Sequence, residues 1–249
     1  EKSLKTGTER LLATNAKSDV IDVLWNRTGS SLRAVGFEVE GRREWTSLDW
    51  LFGVEIDQLK AVSAGDLDVV STDRADVKWV VSFSSDTQPA RYFLWDRKAK
   101  QATPLGAMLP KVDPATLATM TPVTIPARDG LVLQAFLTTP RGVTKTKLPL
   151  VLLVHGGPWW RDRLGFHANA QWLANRGAAV LQVNYRGSTG YGKRFVNASN
   201  RQWGLAMQDD LSDAVSWAVK EGVADASRVA AVFRHCEDVV AVDITPEDE

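Results

Sequence analysis

The tetrapeptide His155-Gly156-Gly157-Pro158 comes directly after the apolar run Leu148–Val154. Paired glycines allow a sharp backbone turn that exposes an N–H, and an exposed N–H can donate to an oxyanion. Ligands of open α/β sheets bind beyond the carboxyl ends of the strands. The segment therefore predicts an oxyanion-binding loop, and the alternative is a plain turn from strand to loop.

A second polar segment, Asn184–Lys193, follows the next apolar run, Ala178–Val183. Its Gly187-x-x-x-x-Gly192-Lys193 matches the first seven positions of a phosphate-binding P-loop. The eighth position should be the Ser or Thr that holds Mg²⁺, but it is Arg194. The residues from Arg194 predict no clear helix, which a phosphate cradle needs. A nucleotide site is therefore disfavoured.

A nucleophile is harder to find, because no Gly-x-Ser-x-Gly occurs in the chain. Cys236 follows the predicted strand Val229–Phe233, but Arg234 and Asp238 stand where the two small residues of an elbow would be. A strained nucleophile elbow needs small neighbours, and catalytic partners converge from separate loops. An ordinary lone cysteine is therefore favoured over a cysteine hydrolase, and we assign no catalytic side chain.

The histidines are His155, His167 and His235. In the α/β-hydrolase order of Ser, acid and His, no histidine follows His235, so a complete triad in that order is impossible in this chain. His167 begins a helical stretch and is predicted to be a surface or capping residue. Clustered ligands at metal-binding spacing are missing, so we predict no metal and no cofactor.

The composition is that of a globular protein, with 44% apolar and 24% charged residues among 249. Thirty basic and thirty acidic residues cancel, which disfavours nucleic acid as a partner. No apolar run approaches the length of a membrane span, so no membrane partner is expected. One cysteine fits a reducing compartment without excluding an oxidising one; localisation stays unknown, although the cytoplasm is favoured. A start at Glu1 without an apolar leader suggests a processed chain or an interior fragment.

Residues 1–110 alternate short β-branched and aromatic runs with turns, which is typical of antiparallel all-β structure. The pattern fits either a small β-sandwich or two propeller blades. Strands are predicted over Leu32–Val39, Trp45–Leu51 and Val77–Phe83, among others. Residues 102–122 carry four prolines and are predicted to be a linker.

From residue 121 the pattern changes to a hairpin and then to alternating strands and helices. The strands are predicted over Leu148–Val154, Ala178–Val183 and Val229–Phe233, and the helices over Phe166–Asn175 and Leu211–Val219. This order predicts a parallel sheet with crossover helices. The acidic end of the chain, residues 234–249, contains a run, Asp238–Asp243, that could be either a strand or part of a tail.

Several segments in order resemble prolyl oligopeptidase-type (S9) serine peptidases, in the acylaminoacyl-peptidase and dipeptidyl-aminopeptidase branch. They are Leu148–Pro158, Leu181–Gly192, Trp203-Gly204, Asp209-Asp210-Leu211-x-Asp213-Ala214-Val215 and Ala224-Asp225-x-x-Arg228-Val229-Ala230. Upstream, Ala127–Gly130 and Tyr92-x-Leu94-x-Asp96 resemble the same group. The resemblance covers nearly everything from about residue 5 to 232.

The resemblance implies C-terminal blades of a β-propeller over residues 1–110 and the N-terminal half of an α/β-hydrolase domain over 111–233. A divergent acidic tail over 234–249 would follow. The substrates would be short or N-acylated peptides. Gly157 would donate an oxyanion-hole N–H, and His155 and Gly156 would shape that loop. Tyr185 and Arg186 would lie on the adjoining loop, with no chemical role that we can assign.

The chain departs from the family after Ala230, where a Gly-Gly-Ser-Tyr-Gly-Gly elbow is expected but Ala231–Asp238 stands instead. The change suggests a frameshift, a truncation or a chimeric join. We therefore expect an incomplete serine peptidase that is inactive alone. The alternative is a non-catalytic binding or scaffold remnant, which could self-associate through Val229–Phe233 as an open sheet edge.

Overall fold

A computed structural model describes residues 1–234 and 239–243. The chain divides into two units, the first formed by Glu1–Ser84 with Ala90–Met108 and the second by Ser85–Pro89 with Leu109–Glu249. The predicted candidates His235 and Cys236 lie outside the described residues.

The first unit is built on two antiparallel sheets. The three-stranded sheet, in the order β1-β2-β3, consists of Asp22–Trp25, Leu32–Val39 and Arg42–Ser47. The four-stranded sheet, in the order β4-β5-β6-β7, consists of Asp66–Thr72, Lys78–Ser85, Gln88–Asp96 and Gln101–Ala107. Glu40 and Gly41 both have positive φ, at 52° and 81°, as a two-residue hairpin turn that matches the strand twist requires. These sheets confirm the predicted antiparallel β-structure.

One helix interrupts the strands of the first unit. Helix α1 covers Trp50–Lys60, and the Asp49 side chain caps it by accepting the Leu51 N–H at 2.9 Å. Its buried face carries Phe52, Ile56 and Leu59, spaced as one side of a helix requires. The strand predicted over Trp45–Leu51 was therefore wrong beyond Ser47, because the cap and this spacing favour a helix.

The predicted linker over residues 102–122 was also wrong at both ends. Strand β7 takes up Gln101–Ala107, and β8 begins at Met120. Pro104 is accommodated because β7 is an edge strand and Pro104 lies beside an irregularity in its pairing with β6. The intervening residues hold only a short 3₁₀ turn, Pro114–Thr116.

The second unit contains a six-stranded mixed sheet in the order β13-β12-β10-β11-β9-β8. Its strands, from β8 to β13, are Met120–Pro126, Val132–Thr138, Leu148–His155, Ala179–Asn184, Ala224–Arg234 and Val239–Asp243. Helices α2, α3 and α4 cover Ala168–Ala174, Lys193–Asn197 and Ala206–Lys220. Strand β10 runs parallel to β11 and β12, as predicted, whereas β8, β9 and β13 pair antiparallel with their neighbours.

Helices cover both faces of this sheet, which explains why the central strands are continuously apolar. On one face, Leu211, Ala214 and Val215 of α4 join the large core formed with the sheet. On the other face, Ala170 of α2 packs with Leu153 and Val180. The crossovers place the carboxyl ends of β10, β11 and β12 along one edge of the sheet.

Two sequence-based expectations about this unit change. Strand β13 pairs along β12 from Ala230↔Asp243 to Arg234↔Val239, so Val229–Phe233 is not an open edge. The acidic end therefore supplies a strand, and self-association stays a prediction without that edge to carry it. A helix does begin at Lys193, contrary to expectation, but α3 has only five residues and Arg194 still replaces the Mg²⁺-binding Ser or Thr.

Candidate active site

The predicted oxyanion-binding segment, His155–Pro158, forms a loop at the carboxyl end of the central strand β10; we call it the glycine loop. Gly157 has φ of +138° and its backbone is exposed. A Cβ at that position would lie 2.7 Å from the Trp159 nitrogen, so only glycine fits without a shift of the backbone. The backbone conformation at this solvent-exposed turn therefore requires glycine.

Tyr185 holds the first residue of the glycine loop. Its ring stacks on the His155 ring with centroids 4.6 Å apart and planes inclined by 17°. Its hydroxyl donates to the His155 main-chain oxygen at 2.9 Å. Both side chains are buried. Tyr185 therefore fixes the strand end from which the glycine loop leaves.

Ser188 adds a third member to this cluster, which the sequence interpretation missed. Its Oγ lies 3.0 Å from His155 Nε2 and donates to the Tyr185 carbonyl oxygen at 2.7 Å. Because Ser188 is fully buried and its hydroxyl hydrogen is donated to a carbonyl, it is placed as a structural group and not as a nucleophile. The serine ties the glycine loop to Tyr185–Gly192, which we call the adjoining loop.

Arg186, for which the sequence assigned no role, anchors the adjoining loop to α4. Its guanidinium donates two bonds to Asp210, at 2.9 and 2.6 Å, and its main-chain N–H donates a third at 2.8 Å. Another guanidinium nitrogen reaches Asp129 at 2.8 Å, and that bond is the main cause that lowers the pKa of the Asp129 carboxyl. Asp210 is fully buried, and the hydrogen bonds from Arg186 compensate its charge.

The hydrogen bonds that Arg186 donates to Asp210 also raise the pKa of the Arg186 guanidinium, so the guanidinium stays charged. A second, exposed ion pair lies nearby, where Arg128 contacts Asp213 at 2.9 Å and Asp209 at 3.0 Å. Among the described residues, the side-chain hydrogen bonds of Arg186 go to Asp210 and Asp129, so Arg186 holds the adjoining loop in place.

A cavity of about 470 Å³ adjoins the glycine loop on the side of α4. Its wall includes His155 and Gly156 of the glycine loop, Tyr185 of the adjoining loop, and the aromatic residues Trp203 and Phe233. The lining is mainly apolar. The cavity lies at the carboxyl ends of β10 and β12, which is where the sequence analysis expected a ligand or reacting group.

His167, the remaining histidine among the described residues, has a structural role. His167 caps α2, with Nδ1 accepting the Ala170 N–H at 3.3 Å, which confirms its predicted capping role. Within residues 1–234 and 239–243, no group of three His, Cys, Asp or Glu side chains is arranged to hold a metal ion. No helix among these same residues has the length and apolar character needed to cross a membrane.

The chain is similar to known peptidases over most of its length. The prolyl oligopeptidase family profile matches residues 164–232. Dipeptidyl aminopeptidase BIII of Pseudoxanthomonas mexicana is 41% identical over 232 residues, which is 90% of this chain and 34% of the relative. Dipeptidyl peptidase family member 6 of Caenorhabditis elegans is 33% identical over 96% of this chain and 36% of its own length. The chain thus spans about a third of the curated relatives that it matches.

Solved structures agree in fold. A structure from a study of two prolyl endopeptidases matches with a TM-score of 0.69 and 15% identity, covering 89% of this chain and 32% of that one. The acylaminoacyl peptidase of Pyrococcus horikoshii matches with a TM-score of 0.61 and 21% identity, covering 87% of this chain and 33% of that one. At these sequence identities the matches establish only the fold.

The mixed sheet with its glycine loop is the N-terminal half of an α/β-hydrolase domain, and β-propeller blades precede it in the chain. The chain belongs to the prolyl oligopeptidase (S9) family of serine peptidases.

Proposed function

We propose that the second unit is the oxyanion-binding half of a serine peptidase domain, and that the Gly157 N–H donates to the substrate carbonyl oxygen. The observation that carries the proposal is the exposed Gly157 backbone with φ of +138° at the end of the central strand. Burial of the Tyr185–His155–Ser188 cluster keeps that backbone in one conformation before substrate arrives. Such preorganised donors stabilise charge without reorganising during the reaction.

In acyl transfer a serine oxygen attacks the scissile carbonyl carbon, and the carbonyl oxygen takes on negative charge in the tetrahedral intermediate. A Gly157 N–H aimed at that oxygen would stabilise the intermediate more than the ground state, which lowers the barrier. The donor set alone supplies no nucleophile and no base. This 249-residue chain, which contains no Gly-x-Ser-x-Gly, is therefore expected to hydrolyse nothing on its own.

The substrate class is proposed from the names of the relatives. They include dipeptidyl aminopeptidases and the acylamino-acid-releasing enzyme of Sus scrofa, which is 36% identical over 41% of this chain. Short peptides, or peptides with an acylated N-terminus, are the substrates we propose for a complete catalytic domain of this type.

The inactivity of the chain alone is tested with a fluorophosphonate probe and with p-nitrophenyl esters. We expect no covalent labelling of any serine and no saturable turnover above the solvent rate. Labelling of a single serine, traced by peptide mass mapping, would contradict the assignment of a purely oxyanion-binding role.

A further inference from the structure

We propose that Gly187 is a positioning residue, which sets the conformation of Gly157 through its contact with Pro158. The inference rests on the proposed function of Gly157 and adds a residue of the adjoining loop to the same site. Pro158 is bonded directly to Gly157, and it is buried although Gly157 is exposed. The surface that covers Pro158 therefore affects how the glycine loop turns.

Gly187 lies too close to Pro158 to carry a side chain. A Cβ at Gly187 would lie 2.9 Å from the Pro158 Cβ, and 2.7 Å from both the Cβ and the Oγ of Ser199. Ordinary contacts of a Cβ begin at 3.4 Å, so these neighbours would have to move by about 0.5 Å or more. Ser199 is itself buried. Pro158 is therefore packed against a backbone position that only glycine leaves open.

The backbone of Gly187 is held by its own hydrogen bond and by that of the preceding residue. The Gly187 N–H donates to the Phe195 carbonyl oxygen in α3 at 3.1 Å. The Arg186 N–H donates to the buried Asp210 side chain in α4 at 2.8 Å. Because two helices hold this part of the adjoining loop, we expect an added side chain to displace Pro158 and not Gly187.

A displaced Pro158 would change the torsion angles of Gly157, because the two residues share a peptide bond. The segment beyond Pro158 is fixed, since the Trp160 N–H donates to the Pro158 carbonyl oxygen at 2.7 Å and the Trp160 carbonyl oxygen accepts the Thr189 N–H at 3.0 Å. The movement is therefore expected to reach Gly157, whose N–H is the proposed donor. A misplacement of about 1 Å can reduce an enzymatic rate by about 10²-fold.

Gly177 provides a matched control in the same unit. Its φ of +88° is close to the +99° of Gly187, so alanine introduces similar backbone strain at the two positions. Beyond the two chain neighbours of Gly177, no described atom would lie within 4 Å of a Cβ placed there. The two substitutions therefore differ mainly in the contacts that the added methyl group makes.

The test is an NMR comparison of the full 249-residue chain with its variants, following the amide signal of Gly157. We expect Gly187→Ala to shift this signal at least about three times as far as Gly177→Ala does, because close-packed neighbours transmit the displacement. The double variant Gly187→Ala/Ser199→Gly should recover at least half of the shift, with Ser199→Gly alone as its reference. The added methyl group can then move into the space that the Ser199 side chain leaves.

The wild-type chain supplies a second measurement, which does not require any variant to fold. Nuclear Overhauser contacts should join the α-protons of Gly187 to the β-protons of Pro158, and their absence would overturn the proposal. An unshifted Gly157 signal in folded Gly187→Ala would overturn it too. A shift that persists in the double variant would assign the effect to backbone strain and would also reject it.

These NMR results do not depend on catalysis. A failure of the contact between Gly187 and Pro158 is therefore distinguishable from a failure of the donor role of Gly157, which the kinetics of Gly157→Ala decide.

Discussion

The Tyr185 hydroxyl donates to the main-chain oxygen of His155 at 2.9 Å while the two rings stack 4.6 Å apart. One side chain thus fixes both the backbone and the ring of the residue that opens the glycine loop. The residues are thirty positions apart; His155 is the last residue of β10, and Tyr185 directly follows the neighbouring parallel strand β11. The conformation of Gly157 is therefore set by packing between strand ends.

Tyr185→Phe should destabilise the second unit by about 1–3 kcal/mol, because it leaves the buried His155 carbonyl oxygen without its hydroxyl donor. The loss would be measured from urea unfolding, followed by tryptophan fluorescence. Tyr92→Phe, in a half-buried strand position of the first unit, is the control and should change stability by less than about 0.5 kcal/mol. Equal effects of the two substitutions would mean that the bond to His155 contributes nothing.

Asp210→Asn should be far more damaging than its neighbour Asp209→Asn. Asp210 is fully buried, and removing its charge leaves the Arg186 guanidinium without its main partner, which costs about 3–5 kcal/mol. Asp209 is 44% exposed in its pair with Arg128, so its loss should cost at most about 1 kcal/mol. The two unfolding free energies, measured at pH 7, check the contrast. A cost of under about 1 kcal/mol for Asp210→Asn would contradict the anchoring role of Arg186.

Stability of the first unit should fall in acid because of Glu55. Burial opposes ionisation of this carboxyl, but hydrogen bonds from Arg97 at 2.7 and 2.6 Å and from Trp95 at 3.1 Å outweigh it, and the pKa of Glu55 is lowered. A lowered folded-state pKa gives stability that is present above the unfolded-state pKa of about 4.3 and is lost as the pH falls through the folded value.

The measurement is the urea midpoint of wild type and Glu55→Gln at pH 7, 5, 4 and 3. The urea midpoint of wild type should exceed that of Glu55→Gln by the largest amount at pH 7 and 5. This difference should shrink below pH 4, because the wild-type carboxyl becomes protonated. Glu40→Gln, at an exposed pair with Lys17, is the control and should show a small difference throughout. If the difference in urea midpoint between wild type and Glu55→Gln does not change with pH, titration of Glu55 in its ion pair with Arg97 does not cause the loss of stability in acid.

Helix α1 should depend on Leu59. Its side chain is fully buried in the core of the first unit, so Leu59→Ala should cost about 2–5 kcal/mol. Leu51 is 62% exposed at the start of the same helix, and Leu51→Ala should cost less than about 1 kcal/mol. Thermal unfolding followed by circular dichroism distinguishes them. Similar losses at both positions would contradict the buried face assigned to α1.

Much of the second unit is predictable from the sequence because its signals are local. The apolar run before His155 ends in two glycines, and both the strand and the loop follow from that order. Ser188 was missed because a serine in a glycine-rich turn carries no signal of its own; its role depends on His155, which only the fold brings near. Asp210 gave no sign of burial for the same reason, since its partner Arg186 lies on another element.

In the first unit, a prediction failed although the local signals for the correct structure were present. Helix α1 has a usable signal in Asp49 and in the spacing of Phe52, Ile56 and Leu59, but Trp50 and Leu51 made the stretch resemble a continuation of the preceding strand. In the second unit, β12 was wrongly expected to be an open edge, because the residue pattern left Asp238–Asp243 open between a strand and a tail.

The most direct test of the account measures the kinetics of a chimera. It joins residues 1–232 of this chain to the portion of Pseudoxanthomonas mexicana dipeptidyl aminopeptidase BIII that follows the matched segment, and it is assayed on a dipeptidyl p-nitroanilide. We predict turnover by the chimera and a kcat reduced by about 10²–10³ in Gly157→Ala. Gly142→Ala, at a glycine with φ of +73° and open space around it, should keep kcat within about threefold. Equal rates for the two variants would contradict the role assigned to Gly157, and a folded chimera without activity would contradict the proposal that this chain supplies half of a serine peptidase domain.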